Sequence, residues 1–203
     1  MANERIFVLQ KITSVKTRIM EASPHPVVLK YGLISGLLSV LFFSITAVTG
    51  LEGTGNVVAS GLVGILSFVA SIVIPVIGVR FHRNIDLGGY ITFAQAFAVC
   101  FGIVMIGMLI GNLGQYFYTS FVDPYYYDNL SEQMLEMFEK LNVPESDAEA
   151  ALEEIKNTST LPGIAKNFLK GSIIMVFVAS IIAAIMKKNP GNPFEQNKPS
   201  GEL

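Results

Sequence analysis

The chain has 203 residues, of which 51% are hydrophobic and only 15% are charged, and its mean hydropathy is +0.52. These values exclude an ordinary soluble domain of this length. The formal net charge of −2 provides no global field that would favour nucleic acid as a partner. The charged residues are concentrated in a few segments between long apolar stretches, which is typical of an integral membrane protein.

Residues 1–26 precede the first apolar stretch and combine apolar residues at helical spacing with four basic residues. This pattern predicts a basic amphipathic helix, which either lies on an anionic membrane surface or packs on the bundle from the cytoplasm. Prolines at positions 24 and 26 end it. The first span is predicted over 27–49, with Lys30 one turn inside, where its ammonium group can reach the lipid headgroups.

The second span is predicted over 57–79 and is followed by Arg80 and Arg83, which we interpret as lipid-headgroup contacts. The third span, 92–118, has 27 residues without a charged side chain or histidine. At 1.5 Å per residue, its length of about 40 Å exceeds the roughly 30 Å of a bilayer core. At its start, Thr92 and Gln95 have the spacing of a capping box.

Residues 122–160 form a polar, mostly acidic insert before the fourth span. A helix is predicted after the Asp123-Pro124 pair, and Ser146 with Glu149 fits a second capping box that would open another helix. The insert is therefore predicted to be a helical hairpin outside the bilayer. The fourth span is predicted over 164–186, and the polar segment 189–203 is predicted to be a disordered tail.

The distribution of basic residues predicts the orientation. Four spans place both termini on one side, and ten of the fourteen basic residues fall there. They are Arg5, Lys11, Lys16, Arg18, Lys30, Arg80, Arg83, Lys187, Lys188 and Lys198. The positive-inside rule then puts both termini in the cytoplasm and the hairpin on the extracytoplasmic side. An aromatic belt is expected at the outer interface, formed by Tyr116, Tyr118, Tyr125, Tyr126 and Tyr127.

Small residues predict how the spans pack, because they allow helices in lipid to approach closely. In the first span, Gly32 and Gly36 share one face with several serines. The second span has a similar face that includes Gly64 and Gly78. The third span carries small residues on one face of its inner half and on the opposite face of its outer half. We therefore expect it to be the central helix, touching different neighbours at different depths.

Polar residues inside the spans are few. Intramembrane ionisable residues usually mark a transport path, and none lies in mid-bilayer here. The candidate polar intramembrane residues are Gln95, Asn112 and Gln115. We interpret Gln95 through the capping box, and Asn112 with Gln115 as interhelical hydrogen-bonding groups or, alternatively, as a shallow solute site. The sequence predicts no catalytic, cofactor-binding or metal-binding residues, and no cofactor.

The chain resembles the bacterial four-helix membrane proteins of domain-of-unknown-function family 4199. The resemblance covers about residues 28–188 and is carried by Lys30–Gly32, the run Gly89–Phe97, Asp123-Pro124 and Lys187-Lys188, together with the acidic insert. The run 89–97, G-x-I-[ST]-F-x-x-A-F, is its most specific part. The resemblance implies a multi-pass protein of the bacterial inner membrane with no assigned activity, and it implies no site residues.

The sequence therefore predicts an all-α membrane protein with four transmembrane helices, an amphipathic N-terminal helix and an extracytoplasmic hairpin. The leading hypothesis is a non-enzymatic structural or accessory subunit that binds a membrane-protein partner through the acidic hairpin. The alternative is a small transporter or channel, acting as a homo-oligomer, with Gln95, Asn112 and Gln115 lining the path. A membrane enzyme acting on lipids would need a nucleophile and base pair, which the sequence does not suggest.

Overall fold

The computed structural model describes residues 23–51, 57–158 and 160–189, except for the side chains of residues 57 and 60. The predicted amphipathic helix over 1–26 and the tail over 189–203 therefore fall almost wholly outside the described residues. Within these described ranges, six α-helices follow one another, with a single turn of π-helix extending α2 to Asp86 and α3 to Val122. They are α1 (His25–Thr49), α2 (Val57–Phe81), α3 (Phe93–Phe117), α4 (Tyr126–Lys140), α5 (Glu145–Thr158) and α6 (Leu161–Met186).

Four of these helices, α1, α2, α3 and α6, are long and apolar enough to cross a membrane. Their outward faces expose large apolar side chains, and on α1 these run from Leu29 to Val48 with 44% to 75% of each residue exposed. A soluble protein rarely exposes a continuous apolar patch of this extent, whereas the acyl chains of a bilayer cover it without cost. The chain is thus an all-helical, multi-pass membrane protein, as the sequence predicts.

Helix α3 lies at the centre of the four spans. It contacts each of the others, most extensively α1 and then α6. About a third of its most apolar stretch is buried within the protein, compared with 17% in each of the other spans. The seam with α6 includes Ala179 and Ala183, which are buried. The predicted central position of α3 is confirmed.

Glycines on α1 and α3 bring these two helices into close contact. A Cβ atom added at Gly36 would lie 2.5 Å from Ile110, and one added at Gly32 would lie 2.7 Å from Ile106. In return, Gly107 lies against Ser35 and Gly111 against Ser39. Gly102 lies against Val28, so all the glycines of α3 face α1, rather than two different neighbours as the sequence analysis proposed. Ala94 and Ala98, which the sequence places on the same face of α3 as Gly102, are exposed.

The bundle is tightly packed at one end and open at the other. The main core cluster, which includes Val79, Leu87 and Ile103, gathers where α2 ends and α3 begins. Helix α2 joins this end through Gly78, which meets Ile103 and Tyr31. Gly64, one residue of its predicted packing face, has nothing within 4 Å of an added Cβ. The first half of α2 therefore lies away from the bundle. The small residues predicted to pack against another helix do not do so in this half of α2.

The insert contains two helices, α4 and α5, that pack against each other. Neither begins where the sequence predicts, and α4 begins at Tyr126 rather than directly after Asp123. Helix α5 begins at Glu145, so Ser146 lies inside it and is not an N-cap. The Pro144 carbonyl accepts from the amides of residues 147 and 148, which supplies the first helical hydrogen bonds. Helix α6 begins at Leu161, three residues earlier than predicted, because the Thr160 side chain caps the amide of Gly163.

The contact between α1 and α3 predicts that Gly36→Leu destabilises the bundle, by about 1–3 kcal/mol or more, since the new side chain must displace Ile110. Gly61→Leu is the matched control, because it places the same residue on α2 where nothing lies within 4 Å. Reversible unfolding in mixed detergent micelles measures the free energy of unfolding of both variants. Equal stability of the two variants would contradict this description of the seam.

Candidate functional site

Gln95 lies at the start of α3 in the predicted capping box. Its side-chain Oε1 accepts from the backbone amide of Thr92 at 3.1 Å, and the Thr92 hydroxyl accepts from the Gln95 amide at 3.3 Å. The capping box is confirmed. Gln95 is separated from Asn112 by 17 residues, about 25 Å along the helix, so the structure does not bring it together with the other two polar candidates.

Asn112 and Gln115 lie in the other half of α3, next to the acidic hairpin. Asn112 Nδ2 donates to the Met108 carbonyl of its own helix at 2.7 Å. Gln115 Nε2 donates to the Tyr127 hydroxyl at 3.1 Å. Gln115 therefore forms an interhelical hydrogen bond of the predicted kind, but its partner is the hairpin rather than another span.

Two adjoining cavities occupy the open end of the bundle. One, of about 350 Å³, lies between α1 and α2, and the other, of about 240 Å³, extends to Asn112 and Gln115 on α3. They share Ser35, Ser39 and Ser71. Pro75 has no N–H, so the Ser71 carbonyl lacks the donor that a regular helix would supply four residues later.

Hydrogen bonds within single helices already engage polar groups around these cavities. The Ser39 hydroxyl donates to the Ser35 carbonyl at 3.0 Å, and the Ser71 hydroxyl donates to the Phe68 carbonyl at 2.7 Å. Asn112 donates in the same way. A site for a hydrophilic solute would need donors and acceptors aimed at the ligand. The engaged donors therefore weaken the interpretation of Asn112 and Gln115 as a solute site.

The predicted headgroup contacts Lys30, Arg80 and Arg83 all lie at the packed end. Lys30 Nζ is 5.5 Å from the ring centres of both Tyr31 and Phe81. Arg80 is exposed, whereas Arg83 donates to the Met186 carbonyl at the end of α6, at 3.2 Å. Arg83 thus joins two spans in addition to any lipid contact, and the headgroup role of all three stays a prediction.

Further polar contacts close the packed end. Buried His82 Nδ1 lies 2.7 Å from an Asp86 carboxylate oxygen. Ile91 and Lys188 exchange two backbone hydrogen bonds of 3.0 and 2.9 Å. The spacing of His82 and Asp86, four residues apart on a helix, could have been read from the sequence. The pairing of residues 91 and 188 could not be read from the sequence, because 96 residues separate them and no local pattern links the two positions.

The hairpin presents an acidic surface. Residues 124–158 contain nine carboxylates and two lysines, a net charge of −7, and every one of the nine carboxylates is exposed. The apolar stripe of α4 is half-buried against α5 at Met134 and Phe138. The packing between the two helices thus uses this stripe and leaves the charged faces to solvent.

Three polar contacts attach the hairpin to the spans. The first joins Gln115 to Tyr127. In the second, Asn167 Nδ2 donates to the Thr158 hydroxyl at 3.0 Å. The third is an ion pair, with Lys170 Nζ 2.7 Å from a Glu154 carboxylate oxygen. The last two contacts could not be predicted from the sequence, because nothing in the spacing of residues 154–170 shows which face of α5 meets α6.

Tyrosines strengthen the same attachment. Tyr126 and Tyr127 are buried, and the Tyr126 ring lies 5.5 Å from that of Phe43 on α1. Tyr118 contacts the same two rings. Two of the five tyrosines expected in an aromatic belt therefore pack inside the protein, although Tyr125 is 70% exposed.

The Lys170 ion pair lowers the pKa of Glu154 below the ordinary value of 4.5, first through their hydrogen bond and then through charge attraction from Lys170 and Lys166. A carboxyl group with a lowered folded-state pKa stabilises the fold above that ordinary value, and the contribution disappears as pH falls through the folded-state pKa. We therefore expect Lys170→Gln to lower the thermal midpoint in detergent at pH 7. The difference from the parent chain should shrink as pH falls below 4.5 and vanish once pH lies below the lowered folded-state pKa of Glu154.

Lys140→Gln is the control for this pH dependence. Its partner Glu136 lies on the same helix at 3.6 Å, so that pair attaches no element to another. A difference between Lys170→Gln and the parent chain that persists unchanged in acid would contradict the role assigned to Glu154.

Within the described ranges, no group of three or more histidine, cysteine or acidic side chains is placed to hold a metal ion. Cys100, the single cysteine, is buried in the core. In the comparisons with known proteins, neither the curated proteins nor the solved structures gave a match. One family, described as "Protein of unknown function (DUF4199)", matches residues 30–188. That range includes the hairpin and all four spans apart from the first five residues of α1, so the chain belongs to the DUF4199 family of proteins of unknown function.

Proposed function

We propose that this protein is a non-enzymatic accessory subunit of a membrane complex, and that it binds its partner through the acidic hairpin formed by α4 and α5. In this proposal it is a bacterial inner-membrane protein with both termini in the cytoplasm and the hairpin on the extracytoplasmic side. The asymmetry of the basic residues supports that orientation.

The observation that carries the proposal is the firm attachment of an otherwise exposed charged surface. The hairpin joins α3 through Gln115 and α6 through Asn167 and Lys170, while buried Tyr126 packs on α1. A loop that only connected two spans would need none of these contacts. A surface held in fixed orientation loses little conformational entropy on binding, which favours affinity.

The charge of the hairpin indicates the kind of partner. With a net charge of −7, its electrostatic complement is a basic surface on a neighbouring membrane protein. Such a surface also repels acidic partners, which adds specificity. The complex should consequently dissociate as salt is raised, since exposed charges are screened beyond about 8–10 Å at physiological ionic strength.

We expect the combined change Glu132→Gln, Glu136→Gln and Glu139→Gln to remove the partner while membrane insertion stays intact. All three carboxylates are exposed on α4. The measurement is the intact mass of the complex purified from native membranes in mild detergent. Glu21→Gln, Glu195→Gln and Glu202→Gln together make the same charge change outside the hairpin and should leave the complex whole. Survival of the complex in the α4 variant would count against the hairpin as the binding surface.

A small oligomeric transporter or channel is the second candidate, and the cavities beside Asn112 and Gln115 are the observation that favours it. Gln95 has no part in it, because it lies at the other end of α3. If the chain carries a solute, Asn112→Leu should lower flux into proteoliposomes roughly tenfold, the equivalent of one lost hydrogen bond of about 1.4 kcal/mol. Gly61→Leu, outside both cavities, should leave flux unchanged. An absence of flux across a broad solute panel would exclude this candidate.

A further inference from the structure

A third cavity, separate from the two in the bundle, lies between the hairpin and the start of α6. Its volume is about 380 Å³, within the range of small-molecule sites. Its walls are polar and come from two helices. They include Glu153, Glu154 and Asn157 of α5 and Lys166, Asn167 and Lys170 of α6.

The cavity walls carry equal numbers of carboxylate and ammonium groups, but not all of these groups form ion pairs. Glu154 and Lys170 form the ion pair that attaches the hairpin. Glu153 and Lys166 remain, and neither forms a hydrogen bond or an ion pair with another described residue. The cavity thus offers one carboxylate and one ammonium group to a ligand. The matching ligand carries both an anionic and a cationic group.

The depth of the cavity indicates where that ligand comes from. Lys166 and Lys170 lie in the first turns of α6, and the following residues 171–186 carry no charge. These 16 residues span about 24 Å, which places the lysines near the edge of the hydrocarbon core. This is the depth at which phospholipid headgroups lie.

We propose that this cavity binds the headgroup of a phospholipid that carries both a phosphate and a primary ammonium group. Lys166 donates to the phosphate, and Glu153 accepts from the ammonium group. The pairing is selective for chemical reasons. A quaternary ammonium headgroup has no N–H to donate to Glu153. A purely anionic headgroup would occupy Lys166 but bring no cation to pair with the Glu153 carboxylate.

The test uses the full chain, purified in mild detergent and delipidated. Phosphatidylethanolamine, phosphatidylcholine and phosphatidylglycerol with identical acyl chains are added separately, and bound lipid is counted by native mass spectrometry. We expect phosphatidylethanolamine to be retained about tenfold more strongly than either of the others. Lys166→Gln and Glu153→Gln should each abolish this preference. Both residues are exposed, so neither change disturbs the packing of the core.

Lys140→Gln and Glu136→Gln are the matched controls, since they make the same two changes on α4 away from the cavity. They should retain the full preference. The proposal is wrong if phosphatidylglycerol binds as tightly as phosphatidylethanolamine, if the three lipids bind equally, or if the controls lose the preference too. Displacement of the lipid by water-soluble phosphoethanolamine at equal concentration would overturn the assignment to a membrane lipid.

Discussion

The close approach of α1 and α3 is the contact on which the rest of the bundle depends. In lipid, apolar side chains gain nothing by leaving the solvent, so helices associate where their surfaces fit closely. Gly32 and Gly36 accept the branched side chains of Ile106 and Ile110, and Gly107 and Gly111 accept serines in return. Once this pair is formed, α6 packs on a second face of α3, and α2 closes the packed end through Gly78.

The position of the hairpin also depends on α1 and α3, through contacts other than the glycine seam. Its three polar attachments start from α3 and α6, and the tyrosine cluster adds Phe43 of α1. Contacts with three spans therefore fix the orientation of the hairpin, in addition to the chain connections at its two ends. This arrangement combines an apolar, lipid-facing body with an acidic unit of net charge −7 attached at one end. The proposed partner-binding role rests on that combination.

The parts of this structure that depend on local chemistry could be predicted from the sequence. Uninterrupted apolar length predicts the spans, and the capping box of Thr92 and Gln95 needs only residues three apart. In each case the physical cause lies within one helix, so no knowledge of its neighbours was required.

The features that depend on which faces meet could not be predicted. Small residues at helical spacing identify a face but not its occupant, so the face of α2 that includes Gly64 was expected to pack and instead lies open. Ser146 fits a cap by spacing, yet the Pro144 carbonyl starts the helix one residue before it. The cavity between the hairpin and α6 combines residues 153 and 166 from two helices. Their meeting is set by how α5 lies on α6, and that information is distributed over the whole hairpin.

The seam between α1 and α3 joins spans that are not consecutive, and this has a consequence for biogenesis. The ribosome delivers α2 between them, so the glycine face of α1 must remain against lipid, or against a chaperone of insertion, until the third span has entered the bilayer. A nascent chain that has released only α1 and α2 holds neither the seam nor most of the core. Most of the bundle therefore assembles late in translation. When α3 enters the bilayer it packs against α1 and α2, and it then provides the surface on which α6 packs.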